Sequence, residues 1–482
     1  MCQACFDSYQ HTGRLDFCHC GTPETQAAMR RIEADISRRQ LLGGMSAVVG
    51  MFAGFGLAPR EVRAQTPGRP LLLTNLRLFD GETLSIREGV DILVQDGRIA
   101  ALPASGQGPE DADRIDCGGR CVIPGLIDAH WHATLAGVSQ VVALTQDIGL
   151  VHLLAGREAG TTLMRGFTTV RDVGGPAFGL KAAVDRGVVT GPRIFPSGAM
   201  ISQTSGHGDF RFSNALPMMP SDPADYASAH GMTALADGVP EVLRRTREQL
   251  MKGASQIKIT AGGGVASQYD PIDATQFTEA EMRAAVDAAD DWGTYVCAHV
   301  YTSRGIQRCI ANGVKSIEHG QLADEDTVKM MADHGTWWSI QPFLADEDAN
   351  QYTDPKALAG QKMVAEGTVR AFELAQVHNV NWAFGTDVLY AGAESQGRQL
   401  AKLARFMSPL DALYRATGAA GALLALSGLR APYDGRLGVI AEGALADLLV
   451  VDGDPETDLS WLGDTDNLRL IMKGGRIFKE TL

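Results

Sequence analysis

Two histidines separated by one residue are the first side chains in this chain that could bind a metal ion. His130 and His132 end the segment 121–132 (CVIPGLIDAHWH), an apolar run that predicts a β-strand. Because successive side chains of a strand point to opposite faces, residues two apart point to the same face. Both imidazoles could therefore bind one cation, and zinc is a common partner of such nitrogen ligands.

Further polar side chains lie in or at the ends of later apolar runs. Lys258 lies inside the run 253–259 (GASQIKI). An unpaired ammonium is very costly to bury, so this lysine must be neutralised, paired or modified. Three later runs end in His299, His319 and Asp387. Four histidines, a lysine and an aspartate on five successive strands together predict a metal centre.

The elements that would position these residues alternate along the middle of the chain. Between residues 123 and 428, short apolar runs alternate with helical patterns such as 279–289, which is typical of a parallel sheet covered by helices. This α/β pattern predicts a (β/α)8 TIM barrel, with reactive side chains at the carboxyl ends of its strands. The segments 66–122 and 429–482 are β-rich, with an Asp-Gly hairpin signal at 96–97. They predict a small β-sandwich domain built from both ends of the mature chain.

Several motifs together resemble the amidohydrolase superfamily, and the resemblance covers nearly the whole mature chain. They are residues 124–132 (PGLIDAHWH), 205–209 (SGHGD), 262–267 (GGGVAS), 316–320 (SIEHG) and 443–448 (GALADL). Within the superfamily, the chain looks most like the imidazolonepropionase-related Xaa-Pro dipeptidases and the ochratoxin-hydrolysing amidohydrolases. The resemblance implies a pair of divalent metal ions bridged by a carboxylated lysine. Zn²⁺ suits the nitrogen-rich ligand set, although manganese and cobalt accept the same ligands.

The resemblance also implies a role for each residue of the set. His130 and His132 would bind the more buried metal, His299 and His319 the other, a carbon dioxide-derived carbamate on Lys258 would bridge the two, and Asp387 would be both ligand and general base. Metal binding lowers the pKa of water from 15.7 towards about 7, so hydroxide is available at neutral pH. Asp387 could accept the proton of that water and pass it to the leaving amine.

Four residues are expected to contact the substrate. His207 lies in a glycine-rich loop, and its counterpart in relatives looks able to reach the substrate carbonyl or its oxyanion; a loop histidine that bonds the backbone is the alternative. Tyr301, two residues past His299, would lie near the substrate carboxylate, as in relatives. Arg304 and Arg171 are further candidates for binding an anion of the substrate; a solvated or structural role is the alternative for each. The stretch 201–250 is long for a loop, and we interpret it as a lid or pocket wall rather than a helix.

The expected function is hydrolysis of the amide that joins an acyl group to a carboxylate-bearing amino acid, in a dipeptide, an N-acyl amino acid or ochratoxin A. The same centre could instead hydrolyse a lactone, a cyclic amide or an organophosphate ester. Deamination is disfavoured, because deaminating relatives usually bind one metal and lack the counterpart of Lys258. A metal-free scaffold protein is the third alternative, and the six filled ligand positions argue against it.

Composition excludes other classes of protein. Of the 482 residues, 45% are hydrophobic and 21% are charged, which excludes a disordered chain. The formal net charge is −14, whereas a nucleic-acid-binding protein typically carries a basic patch. We therefore expect a small-molecule substrate and no nucleic acid, and the relatives imply a homo-oligomer.

The N-terminus carries the pattern of an export signal. Within residues 37–64, Arg38 and Arg39 precede a mildly apolar stretch, and a small-residue cleavage pattern ends at Ala64. This pattern predicts a twin-arginine signal peptide, a periplasmic or secreted protein, and no stable membrane span after cleavage; a membrane anchor or a buried helix is the alternative. Residues 1–36 form a leader whose cysteines could bind zinc but are expected to be removed with the signal: Cys2, Cys5, Cys18 and Cys20.

Overall fold

The computed structural model describes residues 69–482, except 219–221, 266, 268, 351, 390 and 391. The predicted leader at 1–36 and the predicted signal peptide at 37–64 lie outside the described residues, so both stay predictions. Among the helices that are described, none combines the length and the apolar character that crossing a membrane requires.

Strands and helices alternate through most of the described chain. The strands are β1 (Leu71–Thr74), β2 (Arg77–Phe79), β3 (Ile86–Arg87), β4 (Ile92–Gln95), β5 (Arg98–Ala101), β6 (Asp113–Asp116), β7 (Cys121–Pro124), β8 (Leu126–Trp131), β9 (Phe167–Asp172), β10 (Arg193–Pro196), β11 (Met200–Ser202), β12 (Thr233–Leu235), β13 (Ile257–Thr260), β14 (Val296–Thr302), β15 (Ser316–Leu322), β16 (Trp337–Ile340), β17 (Trp382–Phe384), β18 (Leu448–Val451), β19 (Leu468–Lys473) and β20 (Arg476–Glu480). The α-helices are α1 (Gln140–Thr145), α2 (Ile148–Met164), α3 (Ala177–Asp185), α4 (Tyr226–Ala229), α5 (Val239–Met251), α6 (Glu279–Asp290), α7 (Ser303–Ala311), α8 (Glu325–Asp333), α9 (Pro355–Val377), α10 (Gln396–Ala401), α11 (Pro409–Arg415) and α12 (Gly418–Leu424). Short 3-10 helices lie at Ser213–Ala215, Ala393–Ser395, Lys402–Arg405, Ala425–Arg430, Ser460–Gly463 and Thr465–Asn467.

The strands in the middle of the chain form two parallel sheets. One has the order β10-β9-β8, and the other has the order β12-β11-β13-β14-β15-β16-β17. Their residues are almost all buried, as expected for parallel sheets covered by helices. The register places Thr260 opposite His299 and His299 opposite Glu318. Polar residues from the ends of neighbouring strands are therefore brought side by side.

Helix α6 illustrates how the sequence sets the boundary of an element. The hydroxyl of Thr278 accepts a hydrogen bond from the backbone N–H of Glu281, whose carboxylate accepts one from the N–H of Thr278 in return. This capping box satisfies backbone donors that the first turn of a helix leaves unpaired. On the inner face, Met282 and Ala285 are buried. The helix predicted at 279–289 is confirmed.

The stretch 201–250 differs from its expected form. Its C-terminal part is the regular helix α5, which begins at Val239 and has Pro240 in its first turn, so the expectation of a stretch without helix was wrong there. Proline fits the first turn of a helix because the N–H that it lacks would have no partner there. The preceding part does border a cavity, through residues such as Phe210 and Tyr226.

Both ends of the described chain contribute strands to one sheet. Its order is β20-β19-β18-β7-β2-β3, and Val450 of β18 lies opposite Val122 of β7. A further sheet has the order β5-β4-β1-β6. Strands β4 and β5 form the antiparallel hairpin that the Asp96-Gly97 signal predicts, and both turn residues have positive φ. This is the backbone that a tight hairpin turn requires.

Asp447 connects this part of the structure to the parallel strands. It lies immediately before β18 and is buried. Its carboxylate accepts hydrogen bonds from Arg193 Nε of β10 at 3.0 Å and from the backbone N–H of Gly474 at 2.6 Å. The side chain therefore links β10, β18 and the turn between β19 and β20.

Replacing Asp447 with alanine should lower the free energy of unfolding by about 3 kcal/mol, because a largely buried guanidinium would lose its partner. Chemical denaturation measures this change. Asp434→Ala is the matched control: Asp434 also pairs with an arginine, at 3.1 Å, but is fully exposed, so its stability should equal that of the unaltered protein. Equal stability of both variants would contradict the linking role of Asp447.

Candidate metal centre and active site

A cavity of about 900 Å³ lies at the carboxyl ends of the parallel strands. Its lining includes every residue predicted to bind metal: His130, His132, Lys258, His299, His319 and Asp387. His130, Lys258, His299 and His319 lie in β8, β13, β14 and β15, whereas His132 directly follows β8 and Asp387 follows β17. The structure thus brings together side chains that lie far apart in the sequence.

Hydrogen bonds orient His130 of β8 and His132, which directly follows that strand. His130 Nδ1 lies 2.8 Å from the carboxylate of Glu318, and His132 Nδ1 lies 2.8 Å from the carbonyl oxygen of Gly174. Both partners are acceptors, so Nδ1 carries the hydrogen in each ring and Nε2 is the atom left for a metal. Burial lowers the pKa of His132, but Asp387 raises it more. The two Nε2 atoms lie 3.4 and 3.2 Å from Asp387 Oδ1. Three potential ligand atoms therefore converge.

A buried ion pair lies behind His130. Arg171 Nη2 donates to both carboxylate oxygens of Glu318 at 2.7 Å, and neither side chain is exposed. Arg171 also donates to the carbonyl oxygen of Ala129 and to the hydroxyl of Tyr295. Although burial raises it, the guanidinium of Arg171 and the bond from His130 hold the pKa of Glu318 far below its usual value. Glu318 is therefore a carboxylate, the form that His130 requires as its acceptor.

This location corrects the expectation for Arg171. Its guanidinium was expected to be available to an anion of the substrate, but it is fully buried against Glu318 and is absent from the lining of the cavity. Arg304 also does not line the cavity: it lies in the first turn of α7 and is exposed. The structure therefore places neither arginine where a substrate in the cavity could reach it.

Asp387 is held by β8, the strand that carries His130. Its backbone N–H donates to the carbonyl oxygen of His130 at 2.8 Å, and its φ is +51°. This left-handed conformation is uncommon for a residue other than glycine and persists where its surroundings impose it. The preceding Thr386 is held by the buried carboxylate of Asp128, to which it donates through its N–H and its hydroxyl.

His299 and His319 complete the histidine cluster. The rings of His299 and His319 lie 4.4 Å apart, and those of His130 and His319 lie 4.8 Å apart. Burial, together with neighbouring histidines, holds the pKa of His299 and of His319 well below the usual value. Burial raises the pKa of Asp387, but His130 and the other histidines lower it more. Neutral imidazoles and an ionised carboxylate are the forms that bind a metal.

Lys258 lies in the same cavity with almost no exposed surface. Burial lowers the pKa of its ammonium, an effect that Glu318 partly offsets. Within the part of the chain that the structure describes, its Nζ forms no ion pair. The sequence predicted that this lysine is neutralised, paired or modified. Pairing with a described residue does not meet that requirement.

These residues fit a divalent metal ion. Ligand atoms of His130, His319 and Asp387 all lie within 4.8 Å of one another. His319 Nδ1 is buried, and no described residue is its hydrogen-bond partner, which is a costly state for a polar atom without a ligand. Imidazole nitrogens together with carboxylate oxygens suit zinc and similar divalent metals.

His207 and Tyr301 lie on the cavity wall beside the cluster. His207 stacks on His299 with ring centroids 3.8 Å apart, and its Nδ1 lies 2.8 Å from the hydroxyl of Ser267. Tyr301 stacks on His319 at 4.9 Å. Burial, and then Asp387, raises the pKa of Tyr301 well above its usual value, so its hydroxyl remains a hydrogen-bond donor.

Sequence reasoning missed the residues that hold the ligands in place. Glu318 stands beside His319 in the motif at 316–320, but its role depends on Arg171, which lies in a different strand. Asp128 precedes His130 by two residues, and its partners Thr386 and Gln396 are distant in sequence. Buried acids at strand ends, next to the predicted ligands, were the available signal.

Comparison with known proteins agrees with this site. The family model for the amidohydrolase family matches residues 121–478. Ochratoxinase from Aspergillus niger is 32% identical over 326 residues, 66% of this chain and 66% of its own length, so the alignment spans just under two thirds of that relative. Its crystal structure has a TM-score of 0.75, with 26% identity, and covers 86% of this chain and 96% of that one.

Two further relatives extend the comparison. Imidazolonepropionase from Mycolicibacterium smegmatis is 22% identical over 419 residues, 85% of this chain and 96% of its own length. The crystal structure of a prolidase complexed with N-methylphosphonate-L-proline is 35% identical with a TM-score of 0.77, and covers 85% of this chain and 100% of that one.

The fold and the site together define a class of protein. The likeness to solved amidohydrolases implies a TIM-barrel type of fold, and the relatives indicate a hydrolase that acts on carbon–nitrogen bonds. The chain belongs to the amidohydrolase family. The resemblance inferred from the sequence motifs is therefore confirmed.

Replacing Glu318 with glutamine should destabilise the fold by about 3–5 kcal/mol, because the charge of Arg171 would remain buried without its partner. The same change removes the carboxylate that orients His130, so metal affinity should fall about 10- to 100-fold. Chemical denaturation and competition with a chromogenic chelator measure the two effects.

Glu325→Gln is the matched control, because Glu325 pairs with Lys329 at 3.1 Å on an exposed face of α8. It should alter neither stability nor metal affinity. A Glu318→Gln variant with the metal affinity of the unaltered protein would show that His130 does not depend on this carboxylate.

Proposed function

We propose that this protein is a metal-dependent amidohydrolase that cleaves the amide between an acyl group and a carboxylate-bearing amino acid. The observation that carries the proposal is the convergence of His130 Nε2, His132 Nε2 and the carboxylate of Asp387 at the floor of the cavity. The family to which the chain belongs and the amide- and peptide-hydrolysing relatives support the same reaction class.

His130, His132, His299, His319 and Asp387 would hold the metal ions, for which we propose zinc. When bound, the ions polarise the scissile carbonyl and lower the pKa of water. Asp387 accepts the proton of the attacking water on its carboxylate and delivers it to the nitrogen of the leaving amine. Burial raises the pKa of this carboxyl, but His130 and the other histidines lower it more, so the group is an ionised carboxylate, the form that can accept a proton.

Lys258, as a carbamate, would supply anionic oxygen ligands to the metal ions. The neutral amine attacks carbon dioxide, and loss of one proton leaves an anionic carbamate with two oxygen donors. Burial of Lys258 lowers the pKa of the ammonium and so favours the neutral amine that this reaction needs. Unmodified Lys258 would be a buried cation that has no ion-pair partner among the described residues. The modification replaces it with an anion that can bind metal cations.

His207 and Tyr301 would contact the substrate. His207 Nδ1 is engaged by Ser267, which leaves Nε2 to donate to the substrate carbonyl or its oxyanion. The protonated hydroxyl of Tyr301 can donate to the carboxylate of the amino-acid portion. Leu135, Phe210 and Phe343 are among the apolar residues of the lining, which suits substrates with apolar or aromatic groups.

We also propose that the two parallel sheets are arcs of one closed barrel formed by β8, β9, β10 and β13 to β17. Asp387 N–H donates to the carbonyl oxygen of His130 at 2.8 Å, which links the end of β17 to β8. Ser255 N–H donates to the carbonyl oxygen of Pro196 at 2.8 Å, which links β10 to the start of β13. One apolar cluster contains Leu73 of β1 and Val450 of β18, which supports a β-sandwich formed by the other two sheets.

A panel of substrates tests the proposed reaction. Purified protein is incubated with N-acyl amino acids, Xaa-Pro dipeptides and ochratoxin A, and the released amino acid is quantified. We expect hydrolysis of substrates with a free carboxylate and a loss of at least tenfold in kcat/KM when that carboxylate is amidated. Hydrolysis of a lactone or a phosphate triester, with no amide cleaved, would overturn the proposal.

Lys258→Ala should lose bound metal and nearly all activity, because the oxygen ligands that the carbamate would supply disappear. Short carboxylic acids such as acetate or propionate should restore part of the activity, since their oxygens can occupy the vacated space. Metal content by mass spectrometry and initial rates measure both effects.

Asp387→Asn is the contrasting variant, because it retains an oxygen ligand but cannot accept the proton. It should keep part of its metal and lose about 10²- to 10⁴-fold in kcat, without rescue by carboxylic acids. Unchanged turnover of Lys258→Ala would refute the ligand role of the carbamate, and a full rate for Asp387→Asn would place the base elsewhere.

A further inference from the structure

A loop after β16 forms one wall of the cavity. We define the wall loop as residues 341–350, and its lining side chains include Phe343, Leu344, Asp346 and Asp348. The ring of Phe343 stacks against His319 with centroids 6.0 Å apart and an interplanar angle of 20°. The position of the wall loop therefore sets the shape of the cavity next to a predicted metal ligand.

A buried ammonium holds the wall loop through two aspartates. Lys402 Nζ lies 2.7 Å from Asp346 Oδ1 and 2.9 Å from Asp348 Oδ2. The Lys402 side chain is only 4% exposed, and that of Asp348 only 6%. Arg398 and Arg405 also pair with these aspartates, at 2.7 and 3.3 Å, but their side chains are 42% and 52% exposed. Lys402 is thus the buried cation that joins both carboxylates.

The helical segment that carries Lys402 also holds the backbone of the metal site. Gln396 begins α10, and its Nε2 donates to the carboxylate of Asp128 at 2.9 Å. Asp128 in turn accepts the backbone N–H groups of His130 and Thr386. One short helical segment therefore connects the wall loop to the strand ends that carry the predicted ligands.

Stability alone does not account for this cluster. Removing buried charges from water is costly, and apolar side chains of similar volume in place of a buried ion pair often leave stability unchanged or raise it. Two aspartates on an irregular loop that converge on one ammonium do, however, define a single position of that loop. The arrangement therefore favours a role for this cluster in specifying the geometry of the loop.

We propose that Lys402 is a positioning residue that fixes the wall loop and thereby determines which substrate groups fit against Phe343 and Leu344. The inference rests on the proposed amide hydrolysis at this cavity and names a determinant of its substrate selectivity. Lys402 itself also lines the cavity, but the two carboxylates of the wall loop occupy its ammonium. Its influence therefore passes through Asp346 and Asp348 to the apolar side chains of the same loop.

Lys402→Met tests this role, because methionine has a similar volume and no charge. Hydrogen exchange followed by mass spectrometry should show faster exchange in the peptide that covers residues 341–350. The ratio of kcat/KM for a substrate with a large aromatic acyl group to that for its acetyl counterpart should fall about tenfold, mainly through KM, because the aromatic group loses its positioned wall. Bound metal should be unchanged.

Two further variants make the test specific. Lys402→Arg keeps the charge and should restore the selectivity ratio and the slow exchange. Arg405→Gln removes an exposed partner of Asp346 and should change neither. Unchanged exchange of residues 341–350 in Lys402→Met, or an equal loss for both substrates, would overturn the proposal. Hydrogen exchange needs no turnover, so failure of the proposed function would appear separately, as absence of amide cleavage by the unaltered protein.

Discussion

The buried ion pair between Arg171 and Glu318 is the interaction on which the candidate metal site depends. Both side chains are fully buried, so each charge needs the other to offset its loss of water. Arg171 Nη2 donates to both oxygens of the Glu318 carboxylate, and Oε2 also bonds His130 Nδ1. The ion pair therefore fixes the orientation of the His130 imidazole, and Nε2 of that ring faces Asp387.

Backbone strain at two positions completes the arrangement. His319 has a φ of +73° and Asp387 a φ of +51°, both in the region that residues with a side chain rarely adopt. The pairing of β15 with β14 is irregular just after His319, and Glu318 and His319 are both buried beside His130. Hydrogen bonds maintain this backbone, including the bond from Trp338 Nε1 to the carbonyl oxygen of His319. Strained backbone of this kind is characteristic of functional sites, where the surrounding structure holds the residues in the unfavourable conformation.

The sequence predicted what depends on local pattern and missed what depends on distant pairing. Alternation along a strand was enough to place His130 and His132 on one face. The alternation of strands and helices predicted a parallel sheet, in which the later strand ends would lie beside them. The burial of Arg171 was not predictable, because the local sequence around an arginine near a strand end is the same whether the side chain faces substrate or pairs with Glu318. That distinction depends on a partner 147 residues away. Helix α5 was missed because the proline-rich segment before it dominated the interpretation of the stretch.

The central claim is that the histidine and aspartate cluster hydrolyses amides through bound metal ions, and metal titration tests it most directly. Purified protein is stripped with a chelator, and metal content and hydrolysis of an N-acyl amino acid are followed as Zn²⁺ is returned. We predict that the stripped protein is inactive and that activity rises in proportion to bound zinc until two ions per chain are bound. Full turnover by protein that contains no metal would contradict the account.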